Sequence, residues 1–299
     1  MSRKINHGKV RRYLTGISSL LFLGLLFLTV SCFEEDKLDT PVNAVDEPVS
    51  DLDKYIDENF VQKYGIAIRY KFVDNFVDPG QRVAPPKLEL VRPMLDFVDE
   101  FWVGVFADAP GGEEFFRSYV PAELVFLGGP IFNGDGTQTL GTADAGARIT
   151  FTDVNSFDLT DEEWLTRQLN IVYHEFSHTV HQQFKLPTAF EEITSSGYSS
   201  AGSWFNVTEE QALQRGYVTP YATSSPNEDF AETVAFYMFD KDFFDTYITL
   251  EENCTTAACE DRNEGRKFVL EKLNSIKDHY LKVTGVDLDD LRAAVQSRL

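Results

Sequence analysis

The sequence predicts an α+β chain, with an α/β half first and a mainly helical half after it. Three observations carry this. Short β-rich stretches alternate with helical spacing up to residue 186. Beyond it the apolar periodicity is helical almost throughout. No internal repeat interrupts the order. The 299 residues hold 27 Lys and Arg against 48 Asp and Glu, a net charge of −21, and 43 % are apolar. That apolar share suffices for a core and excludes a disordered, fibrous or multispanning chain. The acidity argues against nucleic acid, because a binder needs basic groups to displace counterions from phosphates.

Taken in order, residues 1–31 read as an export signal. Arg3, Lys4, Lys9, Arg11 and Arg12 precede an apolar run from 17 to 30, shorter than the ~20 residues that span a bilayer. Cys32 follows the expected cut, with Leu28 and Thr29 just before it. This resembles a bacterial lipoprotein signal and implies lipidation of Cys32. The acid-rich stretch 33–39 resembles the tether that carries some Gram-negative lipoproteins to the outer cell surface. Residues 32–50 are therefore expected to be a flexible acidic tether and 51–299 the folded domain. Removing residues 1–31 takes away five positive charges and no acid, leaving −26.

Within the domain, the half at 51–186 opens with helical spacing over 51–64. A β-rich alternation covers 65–73, and apolar helical spacing returns over 90–106. Stretches 123–127 and 147–151 read as short strands, separated by a Gly-, Asp- and Thr-rich loop at 128–146. Residues 133–136 carry oxygen donors like a calcium loop, but the alternate spacing is incomplete, so a plain turn is expected. In the half at 187–299, helices are expected over 228–239, 240–249, 261–281 and 288–297. Cys254 and Cys259 lie five apart in a loop-like segment, where an oxidising compartment would join them in a small disulfide.

Histidine is scarce, yet three of the five, His174, His178 and His181, fall within eight residues. The segment His174-Glu175-Phe176-Ser177-His178 has the pattern H-E-x-x-H. On a helix, each residue turns about 100°, so His174 and His178 lie about 40° apart and one turn along. Two imidazoles so placed can close on one Zn²⁺. Glu175 stands about 100° round, beside such an ion, where it can take a proton from bound water. Leu165, Leu169, Val172, Phe176 and Val180 fall on the opposite side, so the helix expected at 161–183 has a core face and a histidine face. His181 shares the histidine face but sits a turn beyond His178. Three ligands in line on one helix do not surround an ion, so His181 is expected in the cleft wall or behind a ligand.

A catalytic zinc needs a third protein ligand and an open position. Glu228 and Glu232 stand four apart in Asn227-Glu228-Asp229-Phe230-Ala231-Glu232. They share one face of a half-buried helix, where charge is costly unless paired or bound to metal. One can ligate zinc, and the other can accept a ligand histidine's spare N–H.

These motifs together resemble a gluzincin, most closely the anthrax lethal factor type. That type pairs an H-E-F-G-H helix with a later E-F-F-A-E, and carries a tyrosine seven residues before its ligand Glu. Here His174–His178, Glu228–Glu232 and Tyr221 occupy those places. The resemblance implies a zincin-like metalloprotease fold, with a small mixed sheet over the active-site helix and the helical half behind it. It also implies Glu228 as zinc ligand, Glu232 supporting a ligand, and Tyr221 donating to the oxyanion. With the export signal, the sequence further resembles zinc metallohydrolase lipoproteins associated with outer-membrane nutrient import through a TonB-dependent transporter. The expected function is zinc-dependent peptide hydrolysis at the cell surface. The expected partners are a peptide or protein substrate, the membrane through Cys32, and an import complex. A zinc-containing binding lipoprotein and a hydrolase of a non-peptide amide or ester are the other readings. The strand at 147–151 is expected to form the cleft edge where an extended peptide pairs.

Overall fold

The structure, a computed structural model, describes residues 50–71, 78, 80–134, 138–139, 141–144, 147–199 and 202–299. The expected signal peptide, Cys32 and the tether up to residue 49 lie outside them, as do Asp135 and Gly136 of the candidate calcium loop. Among the described residues no helix is long and apolar enough to cross a membrane.

Helix α1 covers 51–64, with a π turn at Asp57–Val61. Ser50 starts it by a reciprocal capping box with Asp53. Gly65, at φ 76°, ends it in the left-handed conformation that a side chain would resist. β1 (Ala67–Arg69) follows, then α2 over 88–108, again with a π turn (Asp99–Val103), and α3 (Gly112–Tyr119). β2 (Glu123–Phe126) leads to β3 (Ile131–Phe132), β4 (Gln138–Thr139), β5 (Gly141–Asp144) and β6 (Arg148–Phe151). The helical half comprises α4 (Glu162–Phe184), α5 (Thr188–Ile193), α6 (Glu209–Gln214), α7 (Pro226–Phe239), α8 (Phe243–Tyr247), α9 (Ala257–Thr284) and α10 (Leu288–Gln296).

The main sheet has the order β1-β2-β6-β5. Its first three strands are parallel and β5 is antiparallel to β6. It is thus the small mixed sheet expected. Two details differ from the sequence reading. The loop at 128–146 contains three short strands, because β5 folds back on β6 with Asp144 opposite Arg148. And β6 is paired on both sides, so it is β5, not the strand at 147–151, that forms the edge. In the same row, Glu123 takes one arginine from each neighbouring strand. Arg69 Nε donates to its Oε2 at 2.9 Å and Arg148 Nε to its Oε1 at 2.7 Å.

Both halves share one core, and α4 runs through it. Asp161 caps α4, accepting from the N–H groups of Glu163 and Trp164. Leu169, Val172, Phe176 and Val180 are buried on its inner face, and Leu165 packs at the margin. The Phe176 ring lies 5.2–5.9 Å from those of Trp102, Phe106, Phe115 and Phe116, edge-on to the first three and tilted to the last. Rings in such geometry add to the area they bury. On its other face α4 packs against α7. Behind α7, α9 passes so close to the end of α6 that a Cβ on Gly265 would meet the Leu213 carbonyl oxygen at 1.7 Å. Only glycine allows that approach.

Candidate metal centre

α4 presents His174, Glu175, His178 and His181, and α7 presents Glu228 and Glu232. Ser225 caps α7 through the Glu228 N–H, with Pro226 at its first turn. This sets Glu228 one turn before Glu232 on the face toward α4.

Three atoms converge where the helices meet. His174 Nε2 and His178 Nε2 are 3.0 Å apart, and Glu228 Oε2 lies 3.1 and 3.2 Å from them. These three residues are the group able to hold a metal ion among the described residues. Ligand atoms set tetrahedrally about 2.0–2.1 Å from one ion would stand about 3.3 Å apart, so the triangle is the right size. Glu228 Oε2 is moreover buried and receives no hydrogen bond. A buried carboxylate oxygen left so is expensive unless a cation meets it. The donor set of two imidazoles and one carboxylate, open on one side, suits catalytic zinc.

The surrounding groups leave both Nε2 lone pairs facing inward. Nδ1 of His174 lies 2.7 Å from Glu232 Oε1, and Nδ1 of His178 lies 2.8 Å from His181 Nε2. With the proton on each Nδ1, both bonds are made and both Nε2 atoms are bare. Glu232 is itself held by Thr219 Oγ1, which donates to Oε2 at 2.7 Å. His181 must be neutral to accept. Burial and the neighbouring His178 lower its pKa to about 4. Around His174 the balance runs the other way. Here a proton competes with metal for Nε2: burial opposes charge, but Glu228 and Glu232 outweigh it and raise the pKa to about 10, so the bare Nε2 belongs to the metal-binding tautomer. Burial likewise opposes the charge on Glu228, yet the two imidazoles hold its carboxyl well below the usual range. The position is strongly attractive to positive charge.

Glu175 lines the cleft beside His174, and burial raises its carboxyl above the ordinary range. Tyr221 lies on the short turn Tyr221–Ser224. Its ring stacks on His174 at 5.8 Å and meets Trp204 edge-on at 5.1 Å. Burial and the Glu228 charge push its phenol upward, so it keeps its proton as a donor. Of the triangle, His174 lines a cleft of about 950 Å³ between α4 and α7, together with Glu175, Tyr221 and Glu232.

The sequence reading missed three parts of this arrangement. Thr219 and Trp204 carry no local signal. Asp229, next to Glu228, points away from the cleft into a buried network. It accepts from Lys272 Nζ on α9 at 2.7 Å and from Tyr198 OH at 2.9 Å, while Lys272 also donates to the Gly216 carbonyl. Both charged side chains are fully buried. Elsewhere, Cys254 and Cys259 are bonded as a disulfide. Their segment is only partly loop, since Cys259 sits in the first turn of α9 behind the cap Thr256.

The chain has known likenesses. A family model described as "Putative zinc-binding metallo-peptidase" matches residues 46–289. A crystal structure described in the same words, from Bacteroides caccae ATCC 43185, is 26 % identical. It covers 82 % of this chain and 90 % of its own, with a TM-score of 0.64. No curated protein matches the chain.

Proposed function

The chain belongs to that family of zinc-binding metallo-peptidases, and from this premise we propose that it cleaves peptide bonds by a gluzincin mechanism centred on His174, His178 and Glu228. The observation that carries the reading is the convergence of three ligand atoms on one point, with one of the ligands, His174, lining a cleft beside Glu175. Zinc, when bound there, supplies Lewis acidity, bringing a water's pKa near ~7 and polarising a carbonyl.

The other steps belong to side chains. Glu232 and His181 fix the ring orientation of His174 and His178 through the Nδ1 bonds. The Glu175 carboxylate takes the proton of the attacking water and passes it to the leaving nitrogen. Its raised pKa suits a group that must both accept and return a proton. The Tyr221 hydroxyl, kept protonated, donates to the oxyanion that develops. This division of labour resembles that of the anthrax lethal factor type. We further propose that export and lipidation at Cys32 place the enzyme on the outer membrane, at the cell surface, beside a TonB-dependent nutrient importer.

The test is a digest of a mixed peptide library by the zinc-loaded protein and by its Glu175→Gln variant, read by mass spectrometry. Cuts confined to the wild type support the reading. Equal, absent cutting by two zinc-replete samples would move it to a non-peptide bond or a binding role.

A further inference from the structure

Lys272 and Asp229 lie fully buried behind α7, away from the cleft. A buried ion pair is weak grounds for stability, since apolar residues of the same size often serve as well. What such a pair supplies is direction. Lys272 Nζ donates to Asp229 Oδ2 and to the Gly216 carbonyl, each at 2.7 Å, and lies 3.7 Å from the centroid of the Tyr217 ring. Asp229 Oδ2 also accepts from Tyr198 OH at 2.9 Å. Next to Tyr198, Ser199 donates its N–H to the Thr223 carbonyl at 2.7 Å, and the Ser199 and Thr223 hydroxyls stand 2.9 Å apart.

The segment 216–223 is thus held at both ends by one buried pair. Lys272 takes Gly216 directly, and Asp229 takes Thr223 through Tyr198 and Ser199. Two residues of the site lie between those ends. Thr219 donates to Glu232 Oε2. Tyr221 stacks on His174, but it is 36 % exposed, so its own packing does not fix it and its place follows the backbone. That place matters, because a group about 1 Å out of line with the reacting atoms can cost ~10²-fold in rate.

We infer that Lys272, Asp229 and Tyr198 are positioning residues, which set the Tyr221 hydroxyl against the zinc-binding triangle by pinning both ends of the segment 216–223. The inference rests on the peptidase reading for its effect on rate, and on the buried network alone for the place of Tyr221.

The test uses the full-length, zinc-loaded protein and a peptide that it cuts in the library digest. Lys272→Met/Asp229→Leu removes both charges and should keep much of the stability. A merely structural role would then leave the rate close to wild type. Positioning instead predicts a kcat lower by roughly 10–100-fold, with KM within about threefold and zinc retained. Tyr198→Phe loses one hydroxyl and keeps the ring. It should lower kcat in the same sense, and it serves alone if the double variant does not fold. In a Tyr221→Phe background neither change should lower kcat further. Where Tyr221→Phe is itself impaired, an unchanged kcat in both variants, or losses that add to that of Tyr221→Phe, overturns the assignment.

A second readout needs no turnover. In protein labelled with fluorotyrosine, the fluorine resonance lost in Tyr221→Phe belongs to Tyr221. It should shift or split in Lys272→Met/Asp229→Leu and in Tyr198→Phe. A shifted resonance without peptide cutting, or with full turnover by Tyr221→Phe, would overturn the mechanism and leave the positioning. An unmoved resonance would overturn the positioning and leave the mechanism.

Discussion

His174 Nδ1 and Glu232 Oε1 lie 2.7 Å apart, so α7 supplies a metal ligand and, one turn on, the group that orients another ligand. Losing that bond frees the ring to turn and to place its proton on Nε2. Glu232→Leu, which can accept no hydrogen bond, should therefore weaken zinc binding roughly 10–100-fold. Thr219→Val, which removes the hydroxyl that donates to Glu232 and accepts from the Ala222 N–H, leaves the Glu232–His174 bond in place and should weaken zinc binding less. Competition with a chromophoric chelator measures both.

Glu175 is no part of the ligand triangle. Glu175→Gln should keep one zinc per chain and lower peptide turnover by roughly 10²–10⁴-fold. Metal analysis and rate on the same sample check it. Full turnover in that variant would remove Glu175 from the mechanism.

The buried pair Lys272–Asp229 has no solvent to fall back on. Removing one partner leaves a lone charge in the core, so Lys272→Met should cost about 3–5 kcal/mol in urea unfolding. The double change Lys272→Met/Asp229→Leu should recover much of that loss, because the cost comes from the stranded partner. Additive losses would show that the two charges do not interact and would overturn this account of the pair.

Glu251 accepts from Arg262 Nε at 2.6 Å and from Arg266 Nη1 at 2.7 Å. These bonds lower its pKa to about 2 from an ordinary 4.5. A depressed carboxyl stabilises the fold fully above its unfolded pKa and loses that contribution as pH falls through the folded one. The stability gap between wild type and Glu251→Gln should thus be constant at neutral pH and close between pH 4.5 and 2. Denaturant titrations across that range would show it, and a gap that widened in acid would reverse the assignment.

The parts of the site that one helix dictates were legible in the sequence. His174, Glu175 and His178 are fixed relative to one another by the pitch of α4, and Glu228 and Glu232 by the pitch of α7. That α4 and α7 face each other followed from the shared need of their polar faces for a partner. The Asp229–Lys272 pair was not legible, because nothing local ties residues 43 apart on α7 and α9. Nor was the pairing of β5 with β6. Of its residues, Gly, Thr, Ala and Asp, only Thr favours a strand, so local preference was too weak to reveal the ladder with β6. Trp204 and Thr219 reach the site on irregular backbone, where spacing carries no periodic signal.

Phe176, between Glu175 and Ser177, holds the zinc-bearing turn of α4 in the central aromatic cluster. The amides around it have no route to solvent by local fraying. Hydrogen exchange over residues 171–181 should accordingly proceed only through global opening, with the protection of the slowest amides in the protein. Selection acting on fold stability and selection acting on the chemistry then bear on the same eleven residues, and drift in either is felt by both.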